Sequence, residues 1–341
     1  IVRDKSVHRK MIQVGTYITK LGYSEEVEFE EILDEAERAV FDVATRGNLV
    51  VFKKIGEILK ASFKDLEKQF SKGKVVTGIP SGYIDFDRIT GGFHPGSLAI
   101  LAARPSMGKT ALALNIAQHV AIAQKTPVLI FSLEMGAEQL LLRLLGSEAK
   151  VNIHDMRTGV FPEGAWDELV EAAGTLNEAP IYIDDSSFLS TLDLRARARR
   201  FKAQYPNLGL IIVDYLQLMS LSRRVENKQQ EVAEISKSLK GVARELNVPV
   251  LALSQLSRAV EQRQVKKPQL ADLRDSGAIE QDADLVVFLY RKGYYNENES
   301  DDNVADLIIA KHRNGPTGTV QLLFFKEYTR FENLASWNLP K

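Results

Sequence analysis

From Val75 onward the chain is built of short apolar runs separated by helical stretches, and that pattern leaves few folds open. The runs are Leu98–Ala102, Val128–Phe131, Ile181–Ile183, Leu210–Val213, Val250–Leu253, Leu285–Leu289, Leu307–Ala310 and Val320–Phe325. Near-continuous Val, Ile and Leu means a strand buried on both faces, and the intervening helices supply the covers. The pattern predicts an α/β fold with a mainly parallel central sheet. No internal repeat or low-complexity segment interrupts it.

The first run leads directly into Ala103-Arg-Pro-Ser-Met-Gly-Lys-Thr110, and a helix is expected from Thr110 to about Ala123. Strand, loop and helix in that order, with Gly-Lys-Thr at the turn, form a phosphate-binding loop. Ala103 stands where the pattern has its first Gly. Backbone N–H groups of the loop and helix start, from Ser106, Met107 and Gly108 to Lys109, Thr110 and Ala111, would face the phosphates. Lys109 would reach the β- and γ-phosphates of ATP, and the Thr110 hydroxyl would bind Mg²⁺. Gly108 lets the backbone approach closely.

Other strand ends suit the same site. Leu210–Val213 runs into Asp214, a carboxylate placed to hold Mg²⁺ or its water. Glu134 stands just past the strand that follows the loop helix, where it could act as general base on the attacking water or be a solvated loop residue. Gln255 ends the run that starts at Val250, where an amide could sense the γ-phosphate.

Residues 1–46 read as helical. Ser24 is expected to cap a helix carrying Phe29, Ile32, Leu33, Ala36, Val40 and Val43 at helical spacing. Gly47 and Asn48 break the pattern. A second helix is expected from about Leu49 to Phe70, about 33 Å long. Val51, Ile55, Leu59, Phe63, Leu66 and Phe70 form its apolar stripe, and it either packs on its own domain or docks on a neighbouring subunit. The division expected is 1–46, 47–74 and 75–341.

Composition removes several alternatives. With no cysteine in 341 residues, disulfides, thiolate zinc sites and cysteine nucleophiles are excluded. The 44 Lys and Arg against 45 Asp and Glu give a net charge of −1, so nucleic-acid binding must rest on local sites. No apolar run is long enough for a membrane span and no signal peptide is visible, so the expected location is cytoplasmic. The start at Ile1 instead of Met suggests a trimmed chain. Arg195, Arg197, Arg199 and Arg200 read as a solvated helix face. Arg223, Arg224 and Lys228, like Lys266 and Lys267, read as basic residues of loops, which the resemblance given below would place near a channel. The five scattered histidines argue against a metal cluster. Trp166 and Trp337 read as packing residues.

Taken together, Thr77-Gly-Ile-Pro-Ser-Gly82 with Asp85 and Asp87, Arg104–Thr110, Phe131-Ser-Leu-Glu-Met135, Ile212-Val-Asp-Tyr-Leu-Gln217, Leu253-Ser-Gln-Leu-Ser-Arg258, Asp272–Asp284 and Ala310–Gly318 resemble the bacterial replicative DNA helicases of the DnaB type. The resemblance covers about residues 75–341. It implies a RecA-like P-loop NTPase domain preceded by the remnant of an N-terminal collar domain (1–46) and a linker helix (47–74). It further implies Glu134 as catalytic base, Asp214 as the Walker B acid and Gln255 as the residue coupling nucleotide to DNA. Arg313, with Lys311 beside it, would act on the ATP of the next subunit in a homohexamer. Arg274 and the backbone near Gly277, with Asp275 where relatives often have Glu, would contact phosphates of single-stranded DNA. The implied partners are single-stranded DNA, primase and a helicase loader, the implied place is the nucleoid, and the implied direction is 5′ to 3′. The rival expectations are a RecA-like recombinase and an ATP-gated oligomeric switch.

Overall fold

The computed structural model describes residues 2–23, 29–45, 55, 56, 59, 63, 76–221, 227–295 and 303–334, with backbone alone for 2–8, 10, 29–30, 41–45, 228 and 274–278. Two compact units result, Ile1–Lys74 and Val75–Lys341. In the first, α1 (Val2–Gly22) and α2 (Phe29–Thr45) pack together, and the Tyr17 hydroxyl donates to Glu35 across them at 2.8 Å. Residues 55, 56, 59 and 63 are helical. The expected cap at Ser24 and the remainder of the 49–70 helix lie outside the described residues.

The second unit is one nine-stranded sheet with strand order β3-β2-β4-β5-β1-β6-β7-β8-β9. Its strands are β1 (Leu98–Ala103), β2 (Val128–Ser132), β3 (Ile181–Asp184), β4 (Leu210–Asp214), β5 (Val250–Gln255), β6 (Leu285–Tyr290), β7 (Val304–His312), β8 (Gly318–Phe325) and β9 (Arg330–Asn333). The first six are parallel, and β6 to β9 extend the sheet in antiparallel hairpins. All eight apolar runs are strands. β9, Arg-Phe-Glu-Asn, was not expected, because four mostly polar residues give no apolar run to read.

Every residue of β1 is buried. Ala99, Leu101 and Ala103 enter one core cluster, and Leu98, Ile100 and Ala102 enter the other, so the sheet is covered on both faces. One cover includes α4 (Lys109–Gln118) and α5 (Ala137–Ala149); the other includes α8 (Thr191–Gln204) and α9 (Lys228–Leu246). Four further helices of the described residues are α3 (Ile84–Thr90), α6 (Ile153–Thr158), α7 (Ala165–Glu178) and α10 (Gly277–Asp282). The loop helix is α-helical only to Gln118, and His119–Ala123 continues as a π turn. Ahead of the sheet, the buried Asp87 carboxylate accepts from the Ser81 and Gly82 amides and closes the 77–87 turn.

The arginine run on α8 is not a solvated face. Arg195 and Arg199 both bind Glu245 of α9, and Arg197 binds Asp184 at the end of β3 at 2.8 Å, while Arg200 is exposed. Helical spacing hid these acids because they lie on other elements. Lys266 lies over the Tyr295 ring at 4.5 Å, and Lys267 pairs with Asp306 at 3.9 Å. Trp166 is 64% exposed and meets Phe161 edge-on at 6.0 Å, so it packs on one side only. Arg223 and Arg224 lie outside the described residues.

Candidate active site

The carboxyl ends of parallel strands open onto one cavity of about 800 Å³, lined among others by Ser106, Lys109, Thr110, Glu134, Arg143 and Gln255. Such crevices at the carboxyl ends of strands are where open α/β sheets bind ligands. Strand β1 delivers the phosphate loop into it. Gly108 turns the chain with φ of 98°, and a Cβ there would lie 3.0 Å from the Phe331 ring. Only glycine fits both the left-handed backbone and the contact with β9. Ser106 also holds a positive φ of 66°, uncommon outside glycine. Met107 is buried, which anchors the loop from beneath.

At the base of the cavity the Thr110 hydroxyl donates to Asp214 at 2.7 Å. Lys109 Nζ lies 4.0 Å from the other carboxylate oxygen and 4.6 Å from the centre of the Tyr215 ring. That Asp214 oxygen is buried and has no hydrogen-bond partner among the described residues. A buried carboxylate oxygen left unpaired needs a partner. A hydroxyl and a carboxylate side by side suit Mg²⁺, which takes few protein ligands and keeps water and phosphate oxygens for the rest. Among the described residues no group of three or more His, Cys, Asp or Glu forms a self-sufficient metal site.

Burial pushes the Lys109 ammonium below its ordinary value, and the charges of Asp214 and Glu134 pull it back up. Arg143 on α5 is in the same position: burial lowers its guanidinium, Asp214 and Glu134 raise it, and Arg157 lowers it. Arg143 was missed in the sequence. It stands nine residues after Glu134, on a helix that gives no sign of facing the phosphate loop until α5 is folded against α4.

Gln255 stands exposed at the end of β5 with its backbone gripped by Gln217. The Gln217 amide donates to the Gln255 carbonyl at 3.1 Å and accepts from its N–H at 3.3 Å. Lys311 and Arg313 are not brought to this cavity. Lys311 donates to the carbonyls of Glu280 and Ala283; Arg313 is exposed, donates to the Gln281 carbonyl at 3.0 Å and pairs with Asp284 at 3.3 Å. Burial and the Arg313 charge lower the Lys311 ammonium, against the pull of Glu280, Asp284 and Asp282. Arg274, Asp275 and Gly277 fall at the junction of a 3-10 segment (Leu270–Ser276) and α10, and their side chains lie outside the described residues.

A mainly parallel sheet of this order, with a phosphate loop after β1 and carboxylates at the end of β4 and just past β2, defines a P-loop ATPase of the RecA-like class. Comparison with known proteins narrows this. The model of the DnaB-like helicase C-terminal domain matches residues 78–333. The replicative DNA helicase DnaB of Geobacillus stearothermophilus is 51% identical over 335 residues, 98% of this chain and 74% of that protein. The replicative DNA helicase DnaC of Bacillus subtilis is 50% identical over 335 residues, again 98% of this chain and 74% of that protein. Among solved structures, an isolated ATPase domain superposes with a TM-score of 0.79 at 40% identity, over 83% of this chain and 99% of that one. A DnaB-like replicative helicase, solved in a study of its interactions with primase, superposes with a TM-score of 0.84 at 36% identity, over 97% of this chain and 77% of that one. The chain belongs to the DnaB-like helicase family. Its activity is that of an ATP-dependent replicative DNA helicase.

Proposed function

We propose that ATP and Mg²⁺ bind across Ser106–Ala111, that Glu134 activates the attacking water, and that hydrolysis moves a homohexameric ring along single-stranded DNA. The observation that carries this reading is the cavity itself. It gathers Lys109, Thr110, Glu134 and Gln255, and beside the Thr110 hydroxyl an Asp214 oxygen accepts no hydrogen bond among the described residues. Loop amides and Lys109 hold the phosphates. Mg²⁺, when bound, is held by Thr110 and Asp214 and offsets phosphate charge. Glu134 accepts the proton of the water. Arg143 adds a cation on the side where charge develops. Gln255 carries the state of the γ-phosphate towards the DNA segment.

Lys311 and Arg313 act on the site of the next subunit, which makes the homohexamer the working unit. Arg274 and the backbone near Gly277, with Asp275, contact phosphates of single-stranded DNA, so binding is sequence-independent and salt-sensitive. The division of labour follows 1–46 as collar remnant, 47–74 as linker helix and 75–341 as motor. Primase is a partner by analogy with the relative studied with it, and a helicase loader places the ring on DNA. The work is done in the cytoplasm, at the nucleoid. Among the described residues no helix is long and apolar enough to cross a membrane.

Forked duplexes test the reading. ATP should drive unwinding of a fork that offers a free 5′ single strand and not of one that offers only a 3′ strand. Strand exchange without unwinding would indicate a recombinase instead, and a change of assembly mass with ATP but no unwinding would indicate a switch.

A further inference from the structure

One short stretch of chain joins the phosphate cavity to the segment that carries Arg274. β5 ends at Gln255, and Leu256–Arg263 follows, with a 3-10 turn over Arg258–Gln262. At Leu256 and Glu261 this stretch is tied to the phosphate loop. The Leu256 amide donates to the Ala103 carbonyl at 3.1 Å. Arg104, only 8% exposed, donates to the Leu256 carbonyl at 2.7 Å and to Glu261 at 2.9 Å.

At Ser257 and Arg263 the same stretch is tied to Asp272, which is 7% exposed. The Ser257 amide donates to the Asp272 carbonyl at 3.3 Å. Arg263 donates to the Asp272 carboxylate at 2.5 Å and to the Lys267 carbonyl at 3.2 Å, and the Gln269 amide donates to the same carboxylate at 2.7 Å. Asp272 lies in the same 3-10 segment as Arg274, two residues ahead of it. A second cavity of about 440 Å³ runs along this stretch and is lined by Asp272; Arg104 and Gln255 line both cavities.

Charge-assisted bonds from Glu261 to Arg104 and from Arg263 to Asp272, each with one buried partner, together with the backbone ties at Leu256 and Ser257, make the stretch move with its anchors and not independently of them. The Arg263 Nε is buried and finds no acceptor among the described residues. Its guanidinium is therefore incompletely satisfied here, as suits a tie with a second arrangement.

We propose that Leu256–Arg263 is a strut between the nucleotide site and the DNA segment, with Glu261 and Arg263 as its positioning residues. The proposal rests on the reading of Arg274–Gly277 as a DNA contact. A shift of the phosphate loop on ATP binding moves Leu256 and Glu261 through Arg104. The same displacement reaches Asp272 through Ser257 and Arg263. By linkage, DNA bound at Arg274 acts back on ATP to the same degree in binding free energy.

The test uses the full chain and the variants Arg263→Ala, Arg263→Lys and Glu261→Gln. Four quantities are measured: ATP hydrolysis alone, hydrolysis with saturating oligodeoxythymidylate, oligonucleotide affinity with and without a non-hydrolysable ATP analogue, and thermal melting. Arg263→Ala and Glu261→Gln should hydrolyse ATP without DNA within about 2-fold of the unmodified chain. Their stimulation by DNA, and the tightening of DNA binding by the analogue, should each fall about 10-fold. Arg263→Lys, which keeps the charge, should recover part of both. Full stimulation and full tightening in both Arg263→Ala and Glu261→Gln would overturn the strut. So would a loss of DNA-free hydrolysis and melting temperature in step with stimulation, since that marks a merely structural role. Arg274→Ala, run in parallel, separates the two readings. If it binds DNA normally, the channel reading fails and the strut with it. If it binds weakly while Arg263→Ala keeps full coupling, the strut alone fails.

Discussion

Glu134 and Arg143 line one cavity with opposite charges, and their removal should leave different signatures. Glu134→Ala removes a proton acceptor and leaves the phosphate contacts intact. Nucleotide affinity should persist while the hydrolysis rate falls by about 10²–10⁴. Arg143→Ala removes positive charge from the cavity beside Glu134 and Asp214, and a cation there would matter more as charge develops than in the ground state. Its rate should fall by about 10²–10³ with nucleotide affinity reduced much less. Fluorescent-nucleotide titration and single-turnover hydrolysis separate the two. Normal hydrolysis by Glu134→Ala would dismiss it as the base, and normal hydrolysis by Arg143→Ala would make that arginine a spectator. Glu134 could be read from its place after an apolar run, because strand ends project into the crevice whatever the rest of the chain does. Arg143 could not, because its approach to Asp214 and Glu134 is set by how α5 packs on α4, and no spacing rule carries that information.

At the scale of elements, an unbroken apolar run decided what was legible. Eight strands stood out because each contains an apolar run, and β1, β2, β4, β5 and β6 are buried nearly throughout. β9 did not, yet its Phe331 packs on Phe324 with ring centres 4.4 Å apart and sets the floor under Gly108. The loop that binds phosphate therefore depends on an element that was invisible in the pattern. Gly108→Ala tests this. The new methyl would meet the Phe331 ring at 3.0 Å on a backbone with φ of 98°, so both the ring and the turn must shift. A residue forced into that region costs on the order of 1–3 kcal/mol. The protein should stay folded, melt lower and lose most of its ATP affinity, with calorimetry and nucleotide titration as the readouts. Unchanged affinity would mean that the loop tolerates displacement. The α8 arginines make the same point from the other side. Their run looked solvated because Asp184 and Glu245, which bind them, are remote in sequence.

At the scale of the whole molecule, Arg313 and the helical residues 55, 56, 59 and 63 carry the predictions that reach beyond a single chain. Arg313 is exposed and absent from the lining of the cavity it is meant to serve. Arg313→Ala should bind ATP normally and hydrolyse it about 10³–10⁵-fold more slowly. Mixed with Lys109→Ala, it should regain hydrolysis at interfaces where an intact loop meets an intact Arg313. No recovery after verified subunit exchange would count against action in trans. The helix makes the second case. Ile55, Leu59 and Phe63 recur at four-residue spacing and are 75%, 48% and 59% exposed, while Val51, Leu66 and Phe70 of the same expected stripe lie outside the described residues. Leaving such side chains in water forgoes about 1.5–3 kcal/mol each. A neighbouring subunit that covers them recovers this at every interface of a ring. Ile55→Asp combined with Leu59→Asp should therefore dissociate the ring while circular dichroism shows the 75–341 unit still folded. ATP hydrolysis should fall with it, because Arg313 no longer reaches the next site. Sedimentation decides the matter: a double variant that stayed hexameric would mean that the stripe is covered within its own chain.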